Sequence, residues 1–119
     1  MNAEQLSTWL TAIASSQRMR ILSHIVDEPL HVSELARRVG MSRALLYMHL
    51  AKLEEAGFVT GHHELTEDGK ALKFFAAVPF STVLDLASLV AAVEASPQEA
   101  ARQEASAQAT PPQATESEK

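Results

Sequence analysis

A chain of 119 residues with 46% hydrophobic content has room for one compact domain, and its cysteine count of 0 excludes disulfides, thiolate metal sites and thiol catalysis, which fits a cytoplasmic home. The formal net charge of −5 argues against a protein that coats DNA indiscriminately, because such affinity comes from neutralising many phosphates, so any DNA contact must be local. The start MNAEQLSTWL has no basic flank before a long apolar run, and no stretch approaches the roughly 20 apolar residues of a membrane span, so neither export nor insertion is expected.

Leu6, Trp9, Leu10 and Ile13 recur at i, i+3, i+4 and i+7 and predict a first amphipathic helix with one apolar face. A second helix is expected over residues 16–26, with Met19, Leu22, Ile25 and Val26 as its buried stripe and Pro29 blocking continuation. After an extended Leu30, a third helix covers 32–39, with Leu35, Ala36 and Val39 apolar, and stops at Gly40. Ser42 is suited to cap a fourth helix over 43–56, which ends at Gly57, so start and stop signals agree at both ends.

Beyond Gly57 the pattern reads as a β-hairpin turning at Asp68-Gly69. The competing reading caps a helix over 67–75 with Thr66, and the run from Lys70 to Phe75 does not separate the two by periodicity. A last helix is expected over 81–95, apolar around most of its circumference through Val83, Leu84, Leu86, Ala87, Leu89, Val90 and Val93. From Ser96 the chain has no Ile, Leu, Val or aromatic residue, which predicts a disordered acidic Ala/Gln/Ser/Pro tail over 96–119 behind a domain at 1–95.

A short helix, a Gly-containing turn, a longer capped helix and a hairpin, in that order, form a winged helix-turn-helix, mainly α with a small β wing. At about 100° per residue, Leu45, Leu46, His49, Leu50, Leu53 and Ala56 fall in one arc of about 140° that packs on the preceding helices. The opposite arc carries Ala44, Tyr47, Met48, Ala51 and Glu55, flanked by Arg43 and Lys52. Only the first turns of such a helix reach base edges, so the readers are expected between Ser42 and Met48. Arg43 offers a fork to guanine, Tyr47 a phosphate or thymine-methyl contact, Ala44 close approach and Met48 an apolar surface. Ser42 and Lys52 are placed for the phosphate backbone and would set register.

Val32-Ser33-Glu34-Leu35-Ala36, Gly40-Met41-Ser42 and the run from His49 through Leu53 and Gly57 to Val59 resemble the ArsR-type winged-helix regulators over about residues 15–80. The resemblance implies a prokaryotic, homodimeric transcription regulator, usually a repressor on a partly palindromic operator. The metal-sensing branch carries a Cys-x-x-Cys-type or acid/histidine site that this sequence lacks, so no metal or other cofactor is expected.

The 5 histidines are scattered, and His49, in the apolar arc, is expected as a packed, hydrogen-bonded core residue. His62 and His63 point to opposite faces of a strand, which makes a poor chelating pair but leaves His62 free to meet a phosphate. Lys70 and Lys73 flank the turn as further DNA contacts, while Glu67 and Asp68 would keep the tip from inserting deeply. Leu6, Trp9, Leu10 and Ile13, with Leu84, Leu86, Leu89, Val90 and Val93, are expected to pair across a two-fold axis as a dimer interface.

The expected function is therefore sequence-specific binding of double-stranded DNA by a homodimer. The alternative is a winged-helix protein-interaction module, in which the acidic balance and the Tyr47-Met48 patch meet a protein. No nucleophile–base pair or phosphate loop supports an enzyme.

Overall fold

The computed structural model describes residues 1–97, so the expected tail from residue 98 onward lies outside the described residues. The described chain runs α1 (Ala3–Ile13), α2 (Ser16–Ile25), β1 (Leu30–His31), α3 (Val32–Val39), α4 (Arg43–Glu55), β2 (Val59–Leu65), β3 (Ala71–Ala77) and α5 (Leu86–Glu94). It divides into two compact units, one of Thr8–Thr82 and one of Met1–Ser7 with the chain from Val83 onward.

In the larger unit, Ile21, Ile25, Leu35, Leu46, Leu50, Leu53, Phe58, Val59 and Phe75 are fully buried and form a core shared by three helices and the sheet. The stripe of α2 differs from expectation. Ile21 and Ile25 are buried and Leu22 is half-buried, whereas Met19 and Val26 are exposed. Both stripes obey helical spacing, and the core lies on the side of Ile21. Trp9 and Ile13, expected at a dimer interface, pack on this core within the chain, with the Trp9 ring centroid 4.9 Å from Phe58 and 5.5 Å from Phe80.

Helix α4 ends in a pair of reverse hydrogen bonds, Gly57 N–H to the Glu54 carbonyl at 3.0 Å and Phe58 N–H to the Leu53 carbonyl at 2.8 Å. Gly57 sits at φ 88°, a left-handed conformation that lets the chain reverse there without a Cβ clash and drives Phe58 into the core.

The hairpin reading holds, and the helical alternative over 67–75 is overturned. β2 and β3 pair antiparallel from Val59↔Ala77 to Leu65↔Ala71, and Thr66 N–H donates to the Lys70 carbonyl at 2.8 Å across the turn. β1, too short to be read as a strand, adds to the free edge of β3 through Leu30↔Phe75 and His31↔Phe74, giving sheet order β1-β3-β2.

In the smaller unit, α5 begins five residues later than expected, leaving Val83 and Leu84 in an irregular segment. Asp85 accepts from Ser88 N–H at 2.8 Å while Ser88 Oγ accepts from Asp85 N–H at 2.9 Å, a reciprocal cap that fixes the helix start despite the apolar residues before it. Ser96, the first residue assigned to the tail, is buried. Its hydroxyl accepts from Ala3 N–H at 3.0 Å and donates to the Ala92 carbonyl at 3.2 Å.

Candidate nucleic-acid interface

The amino-terminal half of α4 is presented outward because its other side is anchored. Leu46, His49, Leu50 and Leu53 are buried, and Arg43, Ala44, Tyr47, Met48, Ala51 and Lys52 are exposed. Ser42 caps the helix, its Oγ accepting from Leu45 N–H at 3.1 Å. Arg43 Nη1 donates to Ser33 Oγ in the first turn of α3 at 3.1 Å, which leaves its other N–H groups outward. Ser33 escaped sequence reasoning because the contact joins two helices ten residues apart, and no local pattern encodes it.

Behind Ser33, Glu34 gathers both arginines of α3. Arg37 bonds its two carboxylate oxygens, with Nε at 3.2 Å, and Arg38 Nε donates at 2.7 Å. The Arg37 and Arg38 hydrogen bonds hold the Glu34 carboxyl down at about 2, so it stays ionised across the neutral range.

The wing divides its candidate residues between two faces. Lys73 Nζ lies 5.4 Å from the Phe75 ring centroid, and the Tyr47 ring meets the same Phe75 edgewise at 6.5 Å, so Lys73 and α4 flank one aromatic side chain. Lys70 is exposed at the turn, where its backbone N–H and carbonyl are both used by Thr66. Thr66 Oγ1 also bonds the Asp68 carboxylate, which lowers the Asp68 pKa and keeps a negative charge at the tip.

His62 is not brought to this group. Opposite Phe74 in the register, it faces away from Lys73 and Phe75, stacks on Phe74 at 5.9 Å, and bonds Glu64 through Nε2 at 2.7 Å. The Glu64 carboxylate, two residues along the same strand face, takes up His62 Nε2, so this histidine is held on the face of the wing opposite Lys73 and Phe75. Among the described residues, no group of three or more histidine or acidic side chains has the arrangement of a metal site.

A helix-turn-helix domain family model matches residues 13–62, from the end of α1 into β2. An uncharacterized HTH-type transcriptional regulator of Methanocaldococcus jannaschii is 32% identical over 74 residues, covering 62% of this chain and 77% of that protein. The crystal structure of an ArsR family transcriptional regulator superposes with a TM-score of 0.53 at 26% identity, covering 85% of this chain and 94% of the other. The chain belongs to the ArsR-type winged helix-turn-helix regulators. The nodulation protein NolR of Rhizobium meliloti is 37% identical to this ArsR-type chain over 59 residues, 50% of this chain and 48% of NolR, so the match spans about half of that relative's length. The family-model match takes in Ser33, the Glu34 pairs and all of α4, so the outward face of α4 occupies the recognition-helix position of this fold.

Proposed function

We propose that the chain is a cytoplasmic, sequence-specific DNA-binding regulator that acts as a homodimer, represses by occluding a promoter, and reads a partly palindromic operator with the first two turns of α4. The observation that carries this reading is the exposed face of Arg43, Ala44, Tyr47 and Met48, backed by a fully buried stripe, in the recognition position of a helix-turn-helix. Lys52, Lys70 and Lys73 supply phosphate contacts around it.

Helix α5 supports the homodimer reading. Leu86, Leu89, Val90 and Val93 are all exposed, and such a row invites burial against a second copy. With a net charge of −5, one reading helix supplies few phosphate contacts, and two held at fixed spacing double them.

The test is charge reversal on the exposed face. Arg43→Glu with Lys52→Glu should weaken binding to a selected operator by about 100-fold or more while leaving the circular dichroism spectrum intact, since two phosphate or base contacts become repulsions. Unchanged affinity would favour the protein-interaction module, to which the exposed Tyr47 and Met48 also lend themselves.

A further inference from the structure

The chemistry of the reading face restricts which bases it can recognise directly. Adenine is read by the amide of Asn or Gln, cytosine by an Asp or Glu acceptor, guanine by an Arg or Lys fork, and thymine by apolar contact with its methyl group. The first two turns of α4 expose Arg43, Ala44, Tyr47 and Met48, with no amide or carboxylate among them. The acids of this helix, Glu54 and Glu55, lie at its far end, about 15 Å along the axis from Ala44.

Three features fit this face to methyl-bearing base edges. Tyr47 and Met48 are 44% and 50% exposed, large values for such bulky side chains, and Ala44 between them and the cap lets the backbone approach closely. The Tyr47 ring is braced edgewise on Phe75 of β3, so its position is set by the sheet and little rotamer freedom is lost on contact. Arg43 is steadied by Ser33 at one edge and Lys52 stands at the other, so positive charge borders the apolar patch as a duplex requires and a protein surface need not.

We infer that the half-site read by this chain is a thymine run bordered by a guanine, with Ala44, Tyr47 and Met48 on the C5 methyl groups and Arg43 on guanine O6 and N7. The inference rests on the DNA-binding reading and names the bases within it.

The experiment uses the full chain. Duplexes are selected from a random pool, and the selected half-site is then remade with deoxyuridine at each thymine, which removes the methyl and leaves every hydrogen-bonding group in place. Affinity should fall about fourfold for each methyl that is covered, and Met48→Ala should abolish the deoxyuridine effect at one position while leaving the others. A selected duplex that binds equally well with deoxyuridine, or one with no thymine in the half-site, overturns the inference while leaving sequence-specific binding intact. If no duplex is enriched at all, the DNA-binding reading falls and takes the inference with it.

Discussion

Arg18 Nε donates to Nδ1 of the buried His49 at 3.1 Å, and the same guanidinium reaches the Ala12 carbonyl at 3.1 Å, so one side chain ties the end of α1 and the start of α2 to the middle of α4. An imidazole that accepts at Nδ1 is neutral and carries its proton on Nε2, an atom that is buried and has no hydrogen-bond partner among the described residues. Burial, then the charges of Arg18 and Lys52, lower the His49 pKa below its ordinary value. The unfolded chain therefore binds a proton before the folded one does. Stability is full above about pH 6.5 and declines as pH falls below it, by at most about 1.4 kcal/mol per pH unit. Urea melts between pH 7.5 and 5.5 should show this decline, and His49→Leu should flatten it; identical pH dependence in the two proteins would contradict the assignment.

Glu34 keeps two of the chain's few guanidinium groups on a carboxylate instead of on phosphate. Glu34→Gln should tighten binding to non-specific DNA several-fold at low salt. It should also steepen the dependence of log K on log salt by about 0.9 for each arginine that then meets a phosphate. Anisotropy titrations over a salt series measure both, and an unchanged slope would show that Arg37 and Arg38 lie away from the duplex. The stability cost should be small, because exposed ion pairs on a helix surface are screened by solvent.

Gly61 on β2 lies against its neighbours on β3. A Cβ there would stand 2.8 Å from Lys73 Cε and 3.0 Å from Phe75 Cε1. The lysine end can swing away, but Phe75 is buried and has little room to move. Gly61→Ala should therefore cost about 1 kcal/mol and lower the melting temperature by several degrees. It should also weaken DNA binding through displacement of Lys73, and an unaltered melt would show that the wing yields more easily than this packing implies.

Much of this fold was legible because its punctuation is local. Gly40, Ser42 and Gly57 mark the ends of α3 and α4, and Asp68-Gly69 marks the hairpin turn, each through a conformation or cap that the residue type itself supplies. The outward arc of α4 followed from the buried stripe opposite it. What escaped depends on neighbours distant in sequence. The stripe of α2 could lie on either side of Leu22 until the core chose Ile21 over Met19. The apolar Val83 and Leu84 extended the helical pattern past a cap made by Asp85 and Ser88. His62 looked free because the Glu64 partner is set by strand geometry, and Ser33 carried no signal of its contact with Arg43.

On α5, Leu89 and Val93 lie one turn apart on the exposed row. Leu89→Glu with Val93→Glu should convert the proposed dimer to monomer in sedimentation velocity and weaken operator binding at least 100-fold, because the two half-sites would then be engaged independently. A variant that stays dimeric would place the interface elsewhere.

The most direct measurement compares the full chain on a selected duplex and on a scrambled duplex of the same length and composition, at one salt concentration near 150 mM. Reading by α4 requires the selected duplex to bind roughly 1,000-fold more tightly or better, with two chains per duplex and a two-fold symmetric consensus. Equal affinity for the two duplexes would contradict it.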